Sequence, residues 1–252
     1  MNARAIVFAV AACALAACSN SREPTYQGWV EAELVFVSPD EVGRLLTLSA
    51  REGDSVTERA PLFTLDDDLQ QADVAQQQAT LTNAQQALDR AAALLKTSSG
   101  TQKNYDDAEA AVRTAQARLN SSQTRLARRK VFSPVTGTVQ QVYFRPGEMA
   151  PAGRPAVALL PPANIKIRFF VPETVLAKVA LGDSVQVSCD GCTSDAARVS
   201  FIARSAEYTP PVIYSLEERS KLVFLIEARP AHPENFRVGQ PVSVALANGA
   251  KP

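Results

Sequence analysis

Residues 90–105 read RAAALLKTSSGTQKNY. On both sides of this stretch, from Leu69 to Lys130, the chain is rich in Ala, Gln, Leu and charge. Val74, Leu81, Leu88 and Leu95 lie seven apart, as do Tyr105, Val112, Leu119 and Leu126, with Ala108 and Ala115 three residues after Tyr105 and Val112. Sevenfold spacing in both arms is the signature of a coiled coil. The polar run Ser98–Gly100 is where the chain reverses, so the arms form an antiparallel hairpin with Ala permitting close approach. At 1.5 Å per residue each arm is a rod of about 45 Å. Asp66, Asp67 and Asp68 suit the positive N-terminus of the first helix. Thr101 is placed to cap the second. Arg125, Arg128, Arg129 and Lys130 collect at its C-terminus, where cations are favoured, and are expected to form a solvated helix end. The arms hold too few large apolar groups for a core, so the rod needs a reason to exist.

The flanks of the rod repeat one another. Residues 37–65 read VSPDEVGRLLTLSAREGDSVTERAPLFTL, and residues 132–160 read FSPVTGTVQQVYFRPGEMAPAGRPAVALL. Each opens on Ser-Pro and has a Gly soon after, Gly43 or Gly137. A second Gly follows at Gly53 or Gly147, and a Pro at Pro61 or Pro155. Apolar residues alternate between these marks, which predicts short half-buried strands broken by turns. Neither half is long enough to stand alone, so the two are expected to pair into one β-sandwich. The pair resembles biotinyl/lipoyl carrier domains, whose modified Lys sits on the hairpin between the halves. Here that place holds Asp66–Asp68, and the next Lys is Lys96, deep in the helical insert. A carrier function is thereby excluded.

The N-terminus carries Arg4, the apolar run Ala5–Leu15, and then Leu15-Ala16-Ala17-Cys18. The run suits a secretory signal and is too short to span a bilayer. The four residues after it resemble a bacterial lipobox, which makes Cys18 the lipidated first residue of the mature chain and the acyl chains its membrane anchor. Cys13 then leaves with the signal, and Cys189 and Cys192 remain in VQVSCDGCTSD. An oxidising periplasm favours a disulfide between them, and Asp190-Gly191 is good turn chemistry. The alternative is a redox or metal-binding CxxC. That would want a helix N-terminus to activate a thiol or further ligands, whereas alternating residues flank the motif.

Composition narrows the function classes. Lys and Arg number 26, Asp and Glu 26, and aromatic residues make up 6% of the chain. Balanced charge and few aromatics offer neither a basic face nor stacking platforms for nucleic acid. The single histidine, His232, lies in ARPAHPENF and reads as a solvated loop residue, so no catalytic dyad or multi-His metal site is expected. From Ile165 the pattern is short strands with turn signals: IKIRFFV, SVQVSC, ARVSFIA, LVFLIEA and QPVSVALA. These predict a barrel or sandwich.

A lipobox, a split lipoyl-like domain around a coiled-coil hairpin and a β-rich tail together resemble a periplasmic adaptor subunit, or membrane fusion protein, of the haemolysin-secretion-adaptor-like family. The resemblance implies an α+β fold: a split biotinyl/lipoyl-like β-sandwich with an inserted antiparallel helical hairpin, plus a C-terminal β-barrel. It divides the chain into a signal peptide (1–17), a lipid-anchored linker (18–25), the sandwich (37–66 and 131–162), the hairpin (67–130) and the barrel (26–36 and 163–248), with Val30–Phe36 as a barrel strand. It implies a non-enzymatic adaptor without cofactor or metal, linking an inner-membrane transporter to an outer-membrane channel as a homo-oligomer of six copies. The family's channel-docking set at the hairpin tip is Arg, Leu four residues on, and Ser seven further. Arg90, Leu94 and Thr101 stand at that spacing, with Thr keeping the hydroxyl and adding a methyl.

The run RSAEYTPPVIYSLEERSKLVFLIEA resembles the closing part of the barrel in adaptors of ABC-type exporters. Few residues follow the last strand, which favours that partner class over proton-driven pumps. The expected location is the periplasm, tethered to the inner membrane. Ser19 lacks the Asp that retains many lipoproteins there, so sorting to the outer membrane stays open. The competing class is a periplasmic metal- or solute-binding lipoprotein using Cys189, Cys192 and His232.

Overall fold

The computed structural model describes residues 24–208 and 222–246. Contacts divide them into two units: Leu34–Pro162, and the residues up to Glu33 together with those from Ala163.

The first unit holds the two half-repeats and the insert. Its strands are β2 (Val35–Val37), β3 (Gly43–Leu48), β4 (Ser55–Val56), β5 (Pro61–Leu65), β6 (Lys130–Phe132), β7 (Gly137–Val142), β8 (Met149–Ala150) and β9 (Val157–Leu160). They form two four-stranded sheets in the orders β2-β9-β7-β4 and β6-β5-β3-β8. Exchanging the half-repeats, β2 for β6, β3 for β7, β4 for β8 and β5 for β9, converts one order into the other. The irregularities obey the same exchange. β3 carries a bulge between Leu45 and Thr47, and β7 one between Val139 and Gln141. Gly53 and Gly147 both turn with positive φ, at 91° and 95°, a conformation glycine adopts without a Cβ penalty. Each half contributes strands to both sheets, so neither can bury its apolar face alone. Leu45, Leu62, Phe63 and Leu65 pack with Val139, Val157 and Leu159 in one core.

The insert is α1 (Asp68–Lys96) and α2 (Gln102–Ala127), about 43 and 39 Å long by the helical rise. The predicted seam faces inward: Leu81, Ala115 and Leu119 are buried, with Val74, Ala84 and Val112 packed on them. Ser122 continues the seam as a buried polar residue. The Ser122 hydroxyl and the Gln77 amide, which donates to Asp73 Oδ1 at 3.2 Å, hold the Asp73 carboxyl below the usual carboxylate range.

The expectation of a solvated helix end is corrected at one residue. Lys130 and Arg128 are exposed, the latter 3.5 Å from Asp40, but the Arg129 side chain is only 9% exposed. It is buried because acceptors from distant parts of the chain gather around its guanidinium.

The second unit is a barrel. Its strands are β1 (Thr25–Ala32), β10 (Ile165–Pro172), β11 (Ser184–Ser188), β12 (Asp195–Ile202), β13 (Glu207–Tyr208), β14 (Leu222–Pro230) and β15 (Pro241–Leu246), with a short α3 at Glu173–Leu176. The order β10-β1-β15-β11-β12-β14 closes through β10–β14 pairing, and β13 adds to β14. Closure removes the open edges that would template aggregation. β10 alternates strictly, with Ile165, Ile167, Phe169 and Val171 inside. The expected strand Val30–Phe36 is divided in two: β1 ends at Ala32, and Val35–Val37 pairs with Val157–Leu159 of β9 in the sandwich.

Candidate functional site: the hairpin tip

The tip is built by backbone geometry that releases its side chains outward. α1 ends at a Thr97 cap, and Ser98 takes a left-handed φ of 56°. The Ser98 amide donates to the Leu95 carbonyl at 3.1 Å, while the Ser99 and Gly100 amides donate to the Leu94 carbonyl at 2.9 and 3.0 Å. This is the Schellman closure, which satisfies carbonyls that the helix leaves open. Gly100 lies against the last turn so closely that a Cβ there would stand 3.1 Å from the Leu94 Cβ and the Leu95 amide nitrogen. Thr101 then caps α2, its hydroxyl oxygen accepting from the Asn104 amide at 3.2 Å.

Leu95 is half-buried, whereas Leu94 beside it is 51% exposed. Arg90, one turn earlier, is exposed, and so is Thr101 across the reversal. The three residues singled out by spacing therefore share one end of the rod, with no role in its seam. Thr101 spends its acceptor on the cap and keeps its hydroxyl hydrogen for donation. Arg90, Leu94 and Thr101 supply a cation, an apolar side chain and a donor, a set suited to docking on another protein, and exposed Lys96, Ser98 and Ser99 stand beside them. At the other end of the rod an open hollow is lined by Asp67, Gln71, Leu126, Ala127, Lys130 and Phe132.

In the barrel, Cys189 and Cys192 are joined as a disulfide, Cα–Cα 5.4 Å, across the turn between β11 and β12. The Gln240 amide donates to the Cys189 sulfur at 3.0 Å. His232 is more than a solvated loop residue. Its amide donates to Asp195 Oδ2 at 2.8 Å, and its Nδ1 lies 3.0 Å from Oδ1. Asp195 is buried. Burial pushes its carboxyl up, but hydrogen bonds from His232 and from the Ala196 amide outweigh this and hold it below the ordinary value. Bonding and attraction from Asp195 push His232 up. Sequence reading missed this pair because Asp195 and His232 are brought together only by the pairing of β12 with β14. Among the described residues, no group of three or more His, Cys, Asp or Glu side chains stands as a metal site. Cys18 lies outside the described residues. No described helix is long and apolar enough to cross a membrane.

Comparison with known proteins assigns the same geometry. Residues 66–131 match the family model described as the α-helical hairpin domain of RND membrane fusion proteins. The chain is 30% identical over 129 residues to the UPF0194 membrane protein in the asrC 5' region of Acidithiobacillus ferridurans. That alignment covers 48% of this chain and 38% of the relative, so the matched part spans well under half of the relative's length. The membrane fusion protein Spr0693 from Streptococcus pneumoniae superposes with TM-score 0.69 at 17% identity, over 88% of this chain and 99% of that one. A MacA-MexA chimera carrying the Pseudomonas aeruginosa MexA α-hairpin domain gives 0.69 at 19%, over 90% and 79%. MacA from Actinobacillus actinomycetemcomitans gives 0.61 at 19%, over 90% and 79%. The chain has the fold of membrane fusion proteins, with their type of helical hairpin inserted in it.

Proposed function

We propose that this membrane-fusion-type chain is a non-enzymatic periplasmic adaptor of a tripartite efflux or secretion system. It is tethered by a lipid on Cys18, joins an inner-membrane transporter to an outer-membrane channel, and acts as a ring of six copies. One observation carries the reading: Leu94 stands half exposed at the end of a rod that adds little core to its own unit. Covering a leucine is worth about 1.5–3 kcal/mol when complete, and the rod cannot supply that cover itself. A groove between helical ends of a channel can, with Arg90 and the Thr101 hydroxyl fixing orientation, a helix-in-groove contact.

The test replaces Leu94→Ser and, separately, Arg90→Asp in cells that depend on the system for resistance. Expected is loss of resistance and of tip–channel crosslinking, with expression and helical content unchanged. Retained resistance and crosslinking in both variants would overturn the docking role.

For the pump partner the reading is an ABC-type transporter, supported by the likeness of residues 204–228 to the barrel closure of ABC-exporter adaptors. The description of the hairpin's family model favours a proton-driven RND pump instead. Co-purification of the tagged adaptor with an ATP-binding cassette permease or with an RND pump decides between them. The competing metal- or solute-binding lipoprotein loses two ligands to the Cys189–Cys192 disulfide. Titration of the purified mature chain should find no reactive thiol, whereas two thiols with stoichiometric metal uptake would revive it.

A further inference from the structure

The rod joins the sandwich at two points only, through Asp66–Asp67 and through Arg128–Lys130. The second crossing is organised around Arg129. Its amide donates to the Leu126 carbonyl at 3.1 Å, continuing the last turn of α2, and its carbonyl accepts from the Leu65 amide of β5 at 2.8 Å. Its side chain turns inward. Nη1 donates to the Val42 carbonyl at 2.9 Å and Nη2 pairs with Glu41 at 3.1 Å, both in the loop between β2 and β3. With its amide turned so that the oxygen faces the guanidinium, the orientation its neighbours require, Gln70 in the first turn of α1 accepts from the same group. One planar group thus ties the root of α1, the end of α2 and a sandwich loop.

The half-repeat supplies independent support. A Cβ at Gly137 would run into the backbone of Leu160 and Pro161, at 2.8 and 2.9 Å. At the matching Gly43 a Cβ would instead meet Arg129 Nη1 at 2.6 Å. The glycine of the second half is roofed by the end of β9, a strand of its own half. That of the first leaves room for an arginine arriving from the insert. Arginine's five donors in a rigid fork suit three acceptors in fixed positions, which lysine's single ammonium does not match.

We propose that Arg129 is the positioning residue of the hairpin, setting the direction in which α1 and α2 leave the sandwich and hence where Arg90 and Leu94 stand. The lever is long: at the helical rise, a root tilt of about 10° displaces the tip by roughly 7 Å. The effect on transport rests on the adaptor reading; the effect on direction does not.

The test uses the full mature chain in detergent, with spin labels on Gln85→Cys in α1 and Thr57→Cys in the sandwich, both exposed positions. Pulsed EPR should give a narrow distance distribution for this background. Arg129→Met should broaden it at least about two-fold while circular dichroism keeps the helical signal, with Arg129→Lys recovering part of the sharpness. Should Arg129→Met fail to fold, Gly43→Ala displaces the guanidinium without removing it and should broaden the distribution likewise. An unchanged width in a folded Arg129→Met, or in Gly43→Ala when Arg129→Met does not fold, overturns the inference whatever the adaptor does in cells. Leu94→Ser should keep the narrow distribution while losing resistance, which separates docking from direction. A broadened Arg129→Met that retains full resistance and crosslinking would overturn the positioning role for the tip, leaving Leu94→Ser as the judge of the adaptor reading.

Discussion

The barrel and the hairpin put apolar residues to opposite uses. In the barrel, Ile167, Phe169, Val171, Ile226, Ala228 and Val244 are all completely enclosed. In the hairpin, helices of 29 and 26 residues enclose, of their apolar residues, only Leu81, Ala115 and Leu119, and leave Leu69 and Leu94 in solvent. Closure of a sheet on itself gives each strand a buried face, so a short alternating run suffices. Two helices alone share one narrow seam, and the remaining surface must be polar or reserved for a partner. Stability is concentrated in the β units and reach in the rod. An exposed leucine reads differently in the two places: in the barrel it is one apolar side chain among many, at the rod's end it is the feature that seeks cover.

The sharpest way to break this contrast is to truncate one large side chain in each region. Phe169→Ala should cost about 3–5 kcal/mol and unfold the barrel at markedly lower urea. Leu94→Ala should stay within about 0.5 kcal/mol in the same titration. Comparable losses at both sites would mean that the tip is part of a core after all. A smaller effect sharpens the account of the reversal. Ser98 adopts the left-handed conformation that a Schellman turn ordinarily gives to glycine. Ser98→Gly should therefore stabilise the hairpin by up to about 1 kcal/mol, seen as later loss of helical signal on heating, with the barrel transition unmoved.

The smallest effect is a pH dependence confined to the barrel. His232 is raised above its ordinary 6.5, so its contribution is complete below that value and disappears as pH rises through the folded pKa. Asp195 is lowered from 3.8, so its contribution is present above that value and is lost as pH falls through its folded pKa. The tie is strongest between the two and fades on the alkaline side. The barrel's melting temperature should drift downward as pH rises above about 6.5, and His232→Ala should flatten the drift. An equal drift in the variant would assign it to other groups.

Much of this architecture was legible from periodicity. The sevenfold spacing from Val74 to Leu126 identified the seam, and the seam residues do face inward. The repeat of Gly43, Gly53 and Pro61 in Gly137, Gly147 and Pro155 announced two paired halves, and the sheets exchange strands on that plan. The tip residues Arg90, Leu94 and Thr101 were named only through the family resemblance, and the structure leaves all three exposed. Other features were not readable. Val35–Val37 alternates well enough for either sheet, and only its pairing with β9 assigns it to the sandwich. Arg129 looks like its neighbours Arg128 and Lys130, since nothing nearby announces the acceptors 87 and 88 positions earlier.

By itself, then, the amino-acid order determined both helices, most of the strands, and where the rod reverses. These depend on side chains a few positions apart, whose spacing matches the helix and strand periods. Tertiary structure alone decided which sheet receives an ambivalent strand, which cation is withdrawn from water, and which carboxylate meets the only histidine. The physical reason is that desolvating a charge or pairing a strand is settled by groups that only folding brings within hydrogen-bond reach, and those groups leave no mark on the local pattern.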